Sequence, residues 1–166
     1  NTTIFWQIDE KERVHAGKLM LYDSTNGKRV KNPYPHINWI HNVKGLKDFN
    51  LKQCLFGLHL VNTDYSKPIA ICEAEKTAIV MRLTIKDFIW LGTGNKNNLK
   101  LELLKPIKHR EIVLYPDKTA FDEWSKKANE LNKKGFKIAV SKMLENSDLP
   151  KGSDLADLII NEMKVN

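Results

Sequence analysis

Four carboxylates stand out by where they fall in the chain: Glu73, Asp117, Asp154 and Asp157. Glu73 ends the apolar run Ile69-Ala-Ile-Cys72, and Asp117 ends the run Ile112-Val-Leu-Tyr-Pro-Asp117. Asp154 and Asp157 follow a later run, in Lys151-Gly-Ser-Asp-Leu-Ala-Asp157. Short apolar runs bounded by turns suit strands buried on both faces of a parallel sheet. A carboxylate at the carboxyl end of such a strand faces the crevice where open α/β sheets bind ligands. Hard divalent ions, Mg²⁺ or Mn²⁺, take such oxygens, often one or two from protein and the rest from water and phosphate. A pair of ions would clamp the attacking and leaving oxygens of a phosphoryl transfer. Each acid also has a plainer reading. Asp154 and Asp157 suit a first helical turn, where negative charge complements the dipole. Asp117 suits the start of a loop, and Asp122 lies three residues after Thr119, a capping-box spacing. Glu73 resists such a reading, because Glu75 puts a second acid just after the same apolar strand.

The elements that must position these residues follow a β-α-β-α rhythm after Pro68. Apolar runs at Ile69–Cys72, Phe88–Leu91, Ile112–Tyr115 and Ile138–Val140 predict strands. Helical patterns lie between them at Lys76–Leu83, Asn97–Lys105 and Ala120–Lys134. In the last, Phe121, Trp124, Ala128 and Leu131 make one apolar stripe, acids come early, lysines late, and Gly135 stops it. A final helix runs from Asp154 to Met163, with Ser153 as its N-cap. Strands alternating with crossover helices predict an α/β fold, a mostly parallel four-stranded sheet with helices on both faces. Two domains are expected, a β-rich subdomain over residues 1–45 and the α/β domain over 46–166.

Residues 3–31 predict a three-stranded antiparallel meander: Thr3–Asp9, Gly17–Tyr22, and a strand after the hairpin signal Asn26-Gly27. Lys18, Lys28, Arg29 and Lys31 are either one positive face or charges defending strand edges. In Asn32–Asn42, His36, Trp39 and His41 would stack on bases, bind a metal or pack against the meander; no third ligand lies at a recognisable spacing. Leu51, Cys54, Leu55 and Leu58 fall at helical spacing and predict a linking helix ending near Gly57.

Composition bounds the class. The chain has 166 residues, 42% hydrophobic and 28% charged, enough for a real core. No apolar run approaches the ~20 residues of a membrane span, and the first residues lack the pattern of a signal peptide. The lack of an initiator Met suggests a piece of a longer protein. Cys54 and Cys72 lie in apolar contexts without a CxxC spacing, which disfavours zinc or a disulfide framework and suits a cytoplasmic setting. The net charge of +7 suits either a polyanionic partner or a lysine-rich solvated surface, and no segment is a basic block.

The arrangement resembles the Toprim domain of bacterial-type primases, topoisomerases and related nucleases. Ile69-Ala-Ile-Cys-Glu73-Ala-Glu-Lys76 is similar to the family's first motif, a buried strand followed by Glu-Gly and often Glu-Lys. Ile89-Trp-Leu-Gly92-Thr-Gly94 is similar to its second strand and glycine turn. Ile112–Asp117 resembles the strand carrying Asp-x-Asp, and Lys151–Asp157 an element after the last core strand of primase-helicase relatives. Cys54-Leu-Phe-Gly57-Leu is similar to the segment before the first motif. The likeness covers about residues 50–160. The first 45 residues resemble the lead-in of primase-like proteins from plasmids and mobile elements, where a zinc ribbon often lies upstream. Three departures stand out. Asp-x-Asp reads Asp117-Lys118-Thr119, so one carboxylate is missing; Asp122 takes the place of a glycine; and Ala74 replaces the glycine beside Glu73.

The resemblance implies DNA replication in a plasmid or mobile-element context. A primase-like nucleotidyltransferase would use Glu73 as base or metal ligand and Asp117 as the principal Mg²⁺ ligand. Asp154 and Asp157 would support them, Lys76 would steady a phosphate, and Gly92 and Gly94 would approach a nucleotide. Its partners would be nucleotides, a single-stranded DNA template and a helicase or other replication proteins, with no membrane. The alternative is a non-catalytic Toprim module for nucleic-acid binding or assembly. A receiver domain phosphorylated on Asp117 is a third reading, but the long β lead-in has no place in it.

Overall fold

The structure is a computed structural model that describes residues 2–165, with side chains described through residue 162. Among the described residues seven strands form two sheets, accompanied by five α-helices, the first being the short α1 (Ile40–Val43). Three strands form an antiparallel sheet in the order β1-β2-β3: β1 (Thr2–Ile8), β2 (Val14–Leu21) and β3 (Ile37–Trp39). Four strands form a parallel sheet in the order β5-β4-β6-β7: β4 (Ile69–Cys72), β5 (Ile89–Gly92), β6 (Glu111–Tyr115) and β7 (Lys137–Val140). In the central register Ile69 lies opposite both Ile89 and Ile112, and Cys72 opposite Gly92 and Tyr115. β4 is therefore flanked by parallel neighbours on both sides. That is why all four of its residues are buried.

Strand alternation divides the core between the two faces of this sheet. Ile69, Ile71, Leu91, Ile112 and Leu114 point to one face. There they meet Trp124, Ala128 and Leu131 of α4 (Phe121–Asn132) and Leu104 of the short α3 (Leu101–Leu104). Ala70, Cys72 and Trp90 point to the other, against Ala78 and Met81 of α2 (Glu75–Thr84) and Leu155 of α5 (Leu155–Val165). Helices cover both faces, so the expected architecture is present. The four strands fall within a residue of the apolar runs that announced them.

Five local expectations are corrected. The third strand of the N-terminal sheet is β3, not the segment after Asn26-Gly27, which makes only an isolated bridge, Tyr22 with Arg29. Asp23 closes this turn through its carboxylate, which accepts from the Thr25 N–H and hydroxyl and from the Asn26 amide. Gly27 alone there has positive φ, so no type I′ hairpin forms. The linking helix is absent from residues 46–57. Phe56 instead exchanges both backbone hydrogen bonds with Gly92 (2.9 and 3.1 Å), and helical character begins only in a 3-10 turn, Leu58–Asn62. The helix at Asn97–Lys105 is broken into a 3-10 turn, Lys96–Asn98, then α3, then a 3-10 turn containing Pro106. Thr119 does not cap α4: it sits at φ 81°, and the N-cap residue is Ala120. Ser153 does not cap α5 either. Asp154 and Asp157 each accept the other's backbone N–H (3.0 and 3.2 Å), a reciprocal box.

The antiparallel sheet packs onto the parallel one by its inner face. Phe5 and Met20 are buried there, and Phe5 meets the ring of Phe56 edge-on at 5.7 Å. His41 stacks on Phe49 at 4.4 Å and lies beside Trp39, so these aromatics pack among themselves.

Candidate functional site

The carboxyl ends of the parallel strands bring the acids together. Glu73 follows β4 directly and Asp117 lies two residues beyond β6, its immediate neighbour. Asp154 starts α5, which packs beside α2, and its Oδ2 accepts from the Thr77 hydroxyl at 2.5 Å. Burial pushes the Asp117 carboxyl up to about 8, and the charges of Glu73, Asp154 and Asp157 add to it in that order. These four acids, from three separate stretches of sequence, thus share one electrostatic neighbourhood. Burial also raises Glu73, opposed by a backbone N–H and the charge of Lys96, then by Lys18 and Arg29.

The acids differ in what their oxygens already do. Asp154 is engaged on both, by Thr77 and by the Asp157 N–H, and Asp157 accepts the Asp154 N–H. Glu75, buried at 2% exposure, pairs with Lys18 of β2 at 3.1 Å. Lys18 also donates to the Gly94 carbonyl at 2.7 Å. The second acid after β4 is therefore a tie between the two sheets. Lys18 is a buried ion-pair partner, neither an edge charge nor part of an exposed positive face. Its period-two position, between Ala16 and Met20 on the inner face, is the signal in the sequence that marks it as inward. Arg29, named with Lys18 in the sequence as part of a positive face, does act on Glu73, whereas Lys96 was not singled out and spacing offers no signal for it.

Lys76 sits at the start of α2 with its ammonium 5.9 Å from the centre of the Tyr22 ring and 3.3 Å from the Gly27 carbonyl. Tyr22 itself is pushed up to about 12, by burial and then by Glu75, with Arg29 opposing and Asp154 adding. The N-terminal sheet thus overhangs the acids. Gly92 and Gly94 have their N–H groups engaged, by Phe56 and by the Glu73 carbonyl. A Cβ on Gly94, at φ 71°, would lie 2.7 Å from Glu75 Oε1, so this glycine admits the Glu75 side chain. Lys118 turns its ammonium onto the Ser147 carbonyl, and the Thr119 N–H donates to the Glu145 carboxylate. The loop after β6 is thereby clamped by residues 145–153, which also exchange backbone bonds with Lys118.

Among the described residues, no group of three or more His, Cys, Asp or Glu side chains is placed to form a metal cage. The Asp117 carboxyl has no hydrogen-bond partner among them, and its surroundings are acidic. A half-buried carboxyl among three other acids is what a cation would relieve. Glu73 and Asp117, both hard oxygen donors, fit a divalent ion of the Mg²⁺ kind that keeps most of its waters. Asp154 and Asp157, as they stand, do not offer it a free pair of oxygens. No helix of the described residues is long and apolar enough to cross a membrane. Cys54 and Cys72 are buried and free.

Solved structures of DNA primase domains share this fold. The chain is similar to a DNA primase domain from Pseudomonas aeruginosa, with a TM-score of 0.59 and 15% identity, covering 98% of this chain and 47% of that one. It is similar to a chain in the structure of the bacteriophage T7 lagging-strand DNA polymerase interacting with primase domains of two gp4 subunits bound to an RNA/DNA hybrid and dTTP. There the TM-score is 0.56 with 17% identity, covering 99% of this chain and 73% of that one. The Aquifex aeolicus primase, zinc-binding and RNA polymerase domains, matches with a TM-score of 0.58 and 15% identity, over 98% of this chain and 38% of that one. The chain thus spans less than half the length of two of these three, and the likeness is one of fold. No curated protein matches. A family model matches residues 1–118, a stretch holding Lys18, Glu73 and Asp117 but not Asp154 or Asp157, and the chain belongs to that family, the domain of unknown function DUF6371.

Proposed function

We propose that this chain is a primase-like Toprim domain that engages nucleotides and single-stranded nucleic acid at the carboxyl edge of its parallel sheet, in the replication of a plasmid or mobile element. The single observation that carries this reading is the convergence of Glu73 and Asp117 at the tips of adjacent central strands. In it, Glu73 and Asp117 share one Mg²⁺, with Mn²⁺ able to replace it. A bound ion would neutralise phosphate charge and lower the pKa of an attacking hydroxyl. As the alternative to a ligand role, Glu73, whose pKa burial raises, would be the base that accepts that proton. Asp154 and Asp157 act as supports: they anchor α5 to Thr77 and keep Asp117 in an acidic surround. Lys76, Lys96 and Arg29 supply the positive rim that a phosphate would meet. Gly92 and Gly94 contribute shape, letting the β5 turn lie against α2. Boundaries near residues 45 and 46 would separate the overhanging sheet from the α/β domain, and a helicase or polymerase is the expected neighbour.

A second reading is favoured by one specific observation. Thr119, where a second carboxylate would stand, carries a neutral hydroxyl instead, and its backbone N–H is held by Glu145. On that reading the module binds nucleic acid without chemistry. Metal-dependent dinucleotide formation on a single-stranded template decides between them. Activity that falls by about 100-fold or more in Asp117→Ala supports the first. Salt-sensitive binding indifferent to chelators, with no product formed, supports the second.

A further inference from the structure

A sheet edge turns unpaired N–H and C=O groups toward whatever lies beside it, so each edge needs an occupant or a guard. Three of the four edges here are guarded. On β7 the Asn132 side chain takes the place of a neighbouring strand: its Oδ1 accepts the Ile138 N–H and its Nδ2 donates to the Ile138 carbonyl, both at 2.8 Å. β5 is met by Phe56, which exchanges both backbone bonds with Gly92. β3 is only three residues long and passes straight into α1. The outer edge of β1 has no such device. It is seven residues long, Thr2–Ile8, without a charge or a proline, and its register with β2 shifts only at the far end, between Gln7 and Ile8.

The backbone groups on that edge can be named. The Leu21 N–H donates to the His36 carbonyl, and the Leu21 carbonyl accepts from Val30, so Leu21 faces away from β1. Alternation then turns Met20, Lys18 and Ala16 toward β1, where they pair with Thr3, Phe5 and Gln7. Thr2, Ile4, Trp6 and Ile8 therefore point their N–H and C=O groups outward, and no backbone group among the described residues bonds them there. The Ile4 and Trp6 side chains are 38% and 40% exposed. The Trp6 indole lies across Gly17, where a Cβ would come within 2.9 Å of it.

We propose that this edge pairs with the same edge of a second copy, antiparallel, about a two-fold axis at Phe5. That register sets Thr2 opposite Ile8 and Ile4 opposite Trp6 of the other copy, so every outward N–H meets an outward carbonyl. An aromatic beside a β-branched residue is a favourable cross-strand pair, and symmetry repeats it. The chain's net charge of +7 is kept away from the joint, because no ionisable side chain lies between Thr2 and Ile8. With β3 short and turned into α1, the joined sheet closes as a dimer instead of growing.

Sedimentation equilibrium of the full chain, from micromolar to near-millimolar concentration, tests this, with amide hydrogen exchange on the same samples. A monomer–dimer equilibrium is expected. The Ile4 and Trp6 amides should gain protection on dimerisation, while those of Phe5 and Gln7 are protected throughout. Two variants that lose the same side chains read the register. I4K/W6K sets like charges opposite one another and I4K/W6E sets opposite ones, so the second should dimerise about tenfold or more tightly than the first. Should replacing Trp6 unfold the chain, T2K/I8K and T2K/I8E make the same comparison at the other pair. A monomer at every concentration, assemblies larger than a dimer, or equal affinities within a variant pair would overturn the proposal.

Discussion

At the scale of the residue, Asp117 is the most informative group. Its carboxyl is held at about 8, against 3.8 for an unperturbed Asp, through burial first and neighbouring acids second. Between those values the folded chain keeps a proton that the unfolded chain has lost. Stability contributed by this group is therefore complete below about pH 4, falls as pH rises, and levels off above about pH 8. Asp117→Asn removes this dependence. Thermal melts at pH 5 and pH 8.5 should show the variant gaining on the wild type by about 1–2 kcal/mol, a discounted figure because the carboxyl keeps some contact with water. An unchanged difference between the two pH values would mean that Asp117 is ionised in the fold. Asp154 carries the opposite lesson. Its position at a helix start suggested a dipole partner, and the structure gives it that cap together with a bond to Thr77.

At the scale of the element, what the sequence made legible follows from periodicity. The run Ile69–Cys72 is apolar at every position, which suits a strand covered on both faces, and β4 is such a strand. Of the stripe Phe121, Trp124, Ala128 and Leu131, the last three are buried as the 3.6-residue spacing required, and Phe121 at the helix start is half-buried. Failures came where tertiary partners override local preference. Leu55 and Leu58 have helical spacing, yet both are buried in the core beside a Phe56–Gly92 bridge that no local rule anticipates. Lys18 was legible in principle, since alternation alone places it inward, but its partner Glu75 lies 57 residues away.

The β1–β2 turn is a further case. The Asp9 carboxylate is almost buried, which pushes its pKa up, but bonds from His15, Arg13 and the Lys11 N–H outweigh that and hold it well below the usual range. A depressed carboxylate contributes stability above its unfolded pKa and loses it as pH falls through the folded one. Asp9→Asn should therefore lower the melting temperature at pH 7 and converge with the wild type as pH drops below about 4. An equal deficit at pH 7 and pH 2.5 would contradict the assigned network.

At the scale of the whole molecule, two sheets of different construction meet at one edge. The antiparallel sheet brings Lys18, and the bridged turn after β2 brings Tyr22 and Arg29, over the acids, while the parallel sheet supplies Glu73 and Asp117 from β4 and β6. Neither sheet alone makes the cleft. The fold shared with solved primase domains is the α/β fold that the motif residues led one to expect. Chemistry is carried by the side chains at the edge, not by the fold itself. The site departs from the motif at Thr119, whose backbone N–H is held by the Glu145 carboxylate.

The most direct test is a crystal structure of this chain soaked in Mn²⁺, with the anomalous signal locating the metal. The account predicts one ion at about 2.0–2.3 Å from an oxygen of Glu73 and an oxygen of Asp117, completed by waters. An empty cleft at saturating Mn²⁺, or Glu73 and Asp117 turned apart with the metal bound elsewhere, would contradict it.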